Sequence, residues 1–247
     1  MLAVRTSRDI AAVSLDFFNT VATHRHDRGR GALVMEYFHA QGWESDSWAH
    51  AALYDVFAIH GGEYAPTMSG ADLKAFATRV ARTLFDRLHV GVDHSAADAH
   101  GLELWGILGP DHLVPFPEVT PVLTELRAAG YRLAVISNWQ HGLRAFCQAL
   151  GFGAQLDAVV ASAEVGVAKP DARIFAEACR RLSLPPERVL HVGDTEADDV
   201  VGARAAGLHA LWLRREAEGA PSPGEIRSLS EVAGLVTSGG WAIGASS

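Results

Sequence analysis

The chain has 247 residues, 49% of them hydrophobic, and a formal net charge of −8. It is long enough to bury one large core or two modest ones, and too acidic for non-specific binding to nucleic acid or an anionic membrane. Its two cysteines, Cys147 and Cys179, sit in amphipathic patterns and read as buried thiols, not as a disulfide framework or a zinc site. With no secretory leader and no stretch apolar enough to span a bilayer, a soluble cytoplasmic protein is expected.

The apolar run Ile10-Ala11-Ala12-Val13 predicts a strand buried on both faces, and it leads into Ser14-Leu15-Asp16-Phe17-Phe18-Asn19-Thr20. Val21 to Gly31 is dense in His and Arg and reads as an exposed loop. Four helical patterns follow, Ala32–Gln41, Ser47–His60, Ser69–Val90 and Ser95–Leu108, with no strand among them. They predict a small helical bundle. Trp43, Trp48 and Trp105 read as its core, and most of the twelve histidines as scattered surface or satisfied core groups.

From Pro115 the texture alternates. Strands are predicted at Tyr131–Ile136, Leu156–Ala161, Val189–Val192 and Leu208–Leu213. Helices are predicted at Pro121–Ala129, His141–Leu150, Ala172–Leu182, Ala197–Ala206 and Leu229–Leu235. Alternation with short turns predicts an α/β fold: a Rossmann-like parallel sheet core, residues 1–21 and 114–247, interrupted by an all-helical insert, residues 22–113.

Three of these strands end in polar groups, at Asp16, at Ser137-Asn138 and at Gly193-Asp194, and Lys169 lies in a strand-to-helix loop on the same edge. A carboxylate at the end of a buried strand is costly unless paired or bound to metal, and ligands of a parallel sheet gather outside the carboxyl ends of its strands. One carboxylate, one hydroxyl, one ammonium and an acidic cluster are expected to meet there.

In this arrangement the chain resembles the haloacid dehalogenase superfamily from Asp16 to about Arg215. Asp16 with Thr20 looks like its first motif, Ser137 followed by Asn138 its second, Lys169-Pro170 its third, and Gly193-Asp194 with Asp198 and Asp199 its acidic fourth. The helical insert stands where that family carries a helical cap. The resemblance implies that Asp16 is a nucleophile forming an aspartyl-phosphate. It implies Mg2+ held by Asp16, Asp194 and the Phe18 backbone carbonyl. Lys169 would neutralise the charge of nucleophile and phosphate, and Ser137 would donate to phosphate oxygens. Asp199 would orient Asp194, Lys169 or a metal-bound water. Adjacent residues at a helix start are not expected to point into one site together, which leaves the place of Asp198 open.

Phosphatases of this superfamily carry a second Asp, an acid and base, two positions after the nucleophile; here that position is Phe18. Three readings follow. The leading one is a Mg2+-dependent hydrolase of a small phosphorylated metabolite. It would act on good leaving groups or take its acid from elsewhere, with His24 and His26 the nearest candidates. The second is carbon–halogen hydrolysis through an aspartyl ester, because haloacid dehalogenases place an aromatic residue at this position. The third is a non-catalytic relative that binds a phosphate or a partner. The acidic fourth motif ranks the first ahead: without a cation, Asp16, Asp194, Asp198 and Asp199 would repel one another. Phe18, His24 and Trp139 are the candidates for the substrate pocket. Nothing in the sequence sets the oligomeric state.

Overall fold

The computed structural model describes residues 10–25, 29–45, 49–60, 63–64, 68, 70–139 and 141–238. The chain divides into two compact units: Met1–Thr23, Pro115–Trp139 and Gly151–Ser247 form one, and His24–Val114 with Gln140–Leu150 the other.

The first unit is an α/β layer structure. Its six strands are β1 (Ala12–Leu15), β4 (Arg132–Ser137), β5 (Ala158–Ala161), β6 (Val189–Gly193), β7 (His209–Leu213) and β8 (Glu225–Ile226). They stand in the order β5-β4-β1-β6-β7-β8, and every pairing is parallel. The first strand is therefore central, and its residues Ala12 to Leu15 are all buried. Helices α5 (Val119–Ala128), α7 (Ser162–Val165), α8 (Ala172–Leu182) and α10 (Ser230–Ser238) lie between and after the strands. On one face Ile174, Phe175, Ala178 and Leu182 of α8 pack on Ala12, Ala134, Ile136 and Val160, a continuous apolar layer. Such a layer supplies most of the stabilisation of a sheet buried on both sides.

The second unit is helical: α1 (Arg30–Ala40), α2 (Ala49–His60), α3 (Gly70–Arg87), α4 (His94–Leu108) and α6 (Leu143–Ala149). Helix α3 buries Phe76, Ala77, Val80, Ala81, Leu84 and Phe85, a stripe at three-and-four spacing. It meets α4 closely at Gly101, where a Cβ would come within 2.9 Å of the Thr78 backbone nitrogen. Trp105 packs edge-on to Phe76 at 4.7 Å and Trp43 to Phe85 at 5.0 Å, so these two tryptophans are packing residues, as their helical setting suggests. Trp48 lies outside the described residues.

Where the chain passes between units, β2 (Ala22–His24) and β3 (Leu113–Pro115) pair as a separate two-stranded sheet. The sequence reading has a loop at the first of these and no strand at the second, and it lacks β8 as well. Strands of two or three residues are too short to show an alternation. A further departure concerns the predicted helix Ala197–Ala206, which opens instead as a π-helical turn, Glu196–Val201, before α9 (Gly202–Ala205).

Candidate active site

Parallel pairing brings three strand ends level. Leu15 stands opposite Val135 of β4 and Val192 of β6, so Asp16, Ser137 and Gly193 fall on one edge of the sheet. The amide of Asp16 still donates to the Val192 carbonyl at 2.9 Å, which fixes the first residue beyond the strand. Asn19 then adopts a left-handed conformation, φ 57°, and turns the chain back so that its amide reaches the Ala22 carbonyl at 2.7 Å. Asparagine tolerates this conformation better than most residues, which suits Asn19 to shaping the turn.

A cavity of about 180 Å³ opens on this edge, lined by Asp16, Phe18, Asn19, Ser137, Asn138, Lys169, Asp194, Thr195, Asp198 and Asp199. Asp16 is 6% exposed, and its Oδ1 accepts from Ser137 Oγ at 2.9 Å and from Lys169 Nζ at 2.6 Å. Among the described residues no hydrogen bond reaches Asp16 Oδ2. The Lys169 ammonium also pairs with Asp199 Oδ1. Burial by itself would weaken the hold of Lys169 on its proton, but the charges of Asp16 and Asp199 outweigh it and raise the pKa. A buried ammonium between two carboxylates remains charged, which is the arrangement that makes such a group tolerable.

Asp199 is held on every side. Oδ2 accepts from the Thr195 amide at 2.9 Å, and Oδ1 takes His191 Nε2 at 3.1 Å besides Lys169. Burial would raise its pKa, but the His191 hydrogen bond and the Lys169 charge hold it well below the usual carboxylate range. Gly193 makes room for it: a Cβ there would fall on the Asp199 carboxyl group. Asp194 is in the opposite condition. Burial, together with the neighbouring Asp16 and Asp199 carboxylates, pushes its pKa up to about 6. Oxygens of Asp16, Asp194 and Asp199 lie within 4.8 Å of one another, a set able to hold a cation.

Asn138 serves the Lys169 backbone: Oδ1 accepts from its amide at 2.6 Å and Nδ2 donates to its carbonyl at 3.0 Å. Its Nδ2 also lies 3.3 Å from Asp198 Oδ2. Asp198 and Asp199 thus both line the cavity, against the expectation for neighbours at a helix start. The wider π turn rotates successive residues by less than an α turn does, so both carboxylates keep to one side.

Other residues singled out in the sequence stand apart from the cavity lining. Thr20 is buried, and its carbonyl accepts from Arg215 Nη2 at 2.8 Å. Trp139 packs edge-on against Phe17 at 4.8 Å and stacks on Phe18 at 6.2 Å, forming an aromatic wall behind the Phe18 ring. His24 belongs to the helical unit, where its Nδ1 lies 2.6 Å from His112 Nε2. Burial and the charge of Arg30 lower its pKa. His26 falls outside the described residues.

Two groups escaped the sequence reading. His191, fully buried, connects Asp199 to Ser14 Oγ, 2.9 Å from its Nδ1. A carboxylate only accepts, so Nε2 carries a proton, and in the neutral ring Ser14 donates to Nδ1. Ser14 and His191 occupy the same register on adjacent strands. Polar residues inside two otherwise apolar runs were the available signal, since buried polar groups require partners.

A sequence model of haloacid dehalogenase-like hydrolases matches residues 10–207. The chain belongs to this family. It is 43% identical over 110 residues to a glyceraldehyde 3-phosphate phosphatase of Methanothermobacter thermautotrophicus, a match covering 42% of this chain and 46% of that one. It is 31% identical over 127 residues to an (S)-2-haloacid dehalogenase of Pseudomonas putida, covering 49% and 56%. These matches span only about half the length of either relative. Among solved structures, a HAD phosphatase from Thermococcus onnurineus superposes over 95% of this chain and 100% of its own, with a TM-score of 0.59 and 22% identity, and so shares the fold.

Proposed function

We propose that this hydrolase cleaves a small phosphorylated molecule, forming an aspartyl-phosphate on Asp16 with help from a divalent cation, Mg2+. The observation that carries this reading is the unequal treatment of the carboxylates. Asp16 and Asp199 share the Lys169 ammonium, whereas burial and two like charges push Asp194 up to about 6. A cation beside Asp194 would relieve that repulsion, and the all-oxygen donor set suits a hard ion. Asp16, Asp194 and the Phe18 carbonyl would hold it, because the oxygens of Asp199 already serve Lys169, His191 and Thr195. When bound, Mg2+ supplies charge neutralisation for the phosphoryl oxygens.

In this reading Ser137 and Lys169 anchor Asp16 by one oxygen, so that the other is presented to phosphorus at a fixed angle. Lys169 spreads its charge over nucleophile and phosphoryl group. Asn138 sets where Lys169 stands, by gripping its backbone at both polar atoms. The helical unit would act as the cap that selects the substrate. Phosphate release from an aryl phosphate should require Mg2+ and fall by about 10⁴-fold or more in Asp16→Asn, the scale seen when a covalent nucleophile is removed. Undiminished turnover in that variant would remove Asp16 as nucleophile.

The aromatic wall of Phe18 and Trp139 favours a second reading, hydrolysis of a carbon–halogen bond through an ester on Asp16. Halide release from a short 2-haloacid without added metal would establish it in place of the first.

A further inference from the structure

Resting on the phosphoryl-transfer reading and its cation, we infer that Arg215 is a positioning residue. From beyond β7 it fixes the turn that follows the nucleophile, and with it the direction of the Phe18 carbonyl proposed to hold Mg2+. Arg215 lies outside the stretch 10–207 that matches the family model, and 196 positions after Asn19. Its guanidinium is nonetheless committed to that turn. Nε donates to the Asn19 carbonyl at 3.3 Å and Nη2 to the Thr20 carbonyl at 2.8 Å. Nη1 pairs with Glu118 Oε1, and the group lies over the Phe116 ring, 3.7 Å from its centre. A planar fork that serves two carbonyls and a carboxylate while stacked on a ring has little freedom left.

The turn depends on this fork. Asn19 stands at φ 57°, a left-handed conformation that persists only where the surroundings enforce it. The Phe17 carbonyl accepts from the Val21 and Ala22 amides, each at 2.9 Å, and the Val21 carbonyl from the Phe116 amide at 3.1 Å. Between them, the Asn19 and Thr20 carbonyls take their hydrogen bonds from Arg215 alone among the described residues. The Asn19 amide is bound to the Ala22 carbonyl at 2.7 Å. In a planar trans peptide the preceding carbonyl points the opposite way from that amide, so the Phe18 carbonyl faces away from Ala22. Phe18 and Asn19 both line the cavity. Without Arg215, two consecutive carbonyls lose their donors, Asn19 can leave its left-handed state, and the Phe18 carbonyl turns with the peptide plane. A lysine would not replace the fork, because an ammonium is a single point of charge on a flexible stem.

Calorimetric titration of Mg2+ into the full chain at neutral pH reads affinity without turnover. Arg215→Lys and Arg215→Met should raise the Mg2+ dissociation constant by about 10–100-fold, the scale of losing a group that orients a metal ligand. The Mg2+ concentration giving half-maximal turnover of para-nitrophenyl phosphate should rise by the same factor, with KM for the ester unchanged. Excess Mg2+ should return most of the turnover. A residue that only held the fold together would lower the melting temperature and leave both Mg2+ constants where they were. That result would overturn the inference and leave the hydrolase reading standing. If neither variant folds, Glu118→Ala decides, since it releases Nη1 alone: a smaller weakening of Mg2+ binding supports the inference and an unchanged constant overturns it. A native chain that neither binds Mg2+ nor releases phosphate would overturn the two together.

Discussion

Charged side chains are used in opposite ways in the two units. At the strand ends of the α/β unit, Asp16, Lys169 and Asp199 are almost fully buried and joined in one chain of contacts that continues through His191 to Ser14. On the helical unit, the pairs of α3 face solvent: Arg79 with Glu63, Arg82 with Asp98, Arg87 with Asp55, with side chains 38% to 50% exposed. In the first region each group is positioned by the next, and an error at one atom passes to the others. In the second, water can replace any partner. The same ion-pair chemistry thus fixes geometry in one place and contributes little in the other.

The largest effect short of removing Asp16 should come from a single methyl group. Gly193→Ala places a Cβ on the Asp199 carboxyl group, which must swing away from Lys169 and His191. Lys169 then loses one of its two anchors beside Asp16. A displacement of about 1 Å in such a constellation costs about 10²-fold in rate, and steady-state turnover of an aryl phosphate checks it. Retained activity would mean that the chain of contacts tolerates slack and that the contrast between the units is overstated.

His191→Leu tests the same chain from its far end. The substitution keeps an apolar body in β6 but leaves Ser14 without its nitrogen partner and Asp199 with one donor fewer. Ser14 Oγ keeps only the longer contact to the Leu190 carbonyl, 3.4 Å, and Asp199 keeps Lys169 and the Thr195 amide, so the loss is that of buried hydrogen bonds, about 1 kcal/mol each, measurable by urea unfolding. Adding Ser14→Ala should return part of that loss, since the hydroxyl it removes is by then held only by its long contact to the Leu190 carbonyl, while the donor missing at Asp199 stays missing. A turnover defect that the double variant does not repair would place the role of His191 in holding Asp199 toward Lys169.

Much of this region was legible in the sequence, and the reason is local. Apolar runs that end in Asp16, Ser137 and Gly193-Asp194 declare both the strand and the place where it stops. The contacts that hold these ends were not legible, because they depend on register between strands far apart in the chain. Ser14 opposite His191, 177 positions away, is one case. Asn138, which follows Ser137 in the second motif, turns its amide to the Lys169 backbone 31 positions on, which no local pattern announces. The π turn at Glu196–Val201 arises in a segment whose composition suits an α-helix, and with it Asp198 and Asp199 both line the cavity.

The acidic cluster yields a pH dependence. Asp194 rises from 3.8 to about 6 on folding, so between those values the folded chain without metal holds a proton that the unfolded chain has released. Its contribution to stability therefore declines as pH rises from about 4 to about 6, and is lowest above that window. A cation displaces the proton, so Mg2+ should bind more weakly below about pH 6. Thermal melts with and without Mg2+ should show an upshift that grows from about pH 5 to about pH 7. An upshift independent of pH would remove Asp194 from the metal site.

The smallest effect is expected on α3, and it completes the contrast. Arg82 reaches Asp98 with two nitrogens, each 2.6 Å from a carboxylate oxygen, a geometry as good as any in the α/β unit. Its surroundings differ: the two side chains are 46% and 43% exposed. The pair exchanges good hydration for contact, restricts two flexible side chains and is screened by salt. Arg82→Ala should therefore leave turnover unchanged and shift the melting midpoint little, with the shift shrinking further as salt is added. If it melted as early as His191→Leu, exposure would not be what separates the two regions, and short distance alone would have to be counted as stabilising.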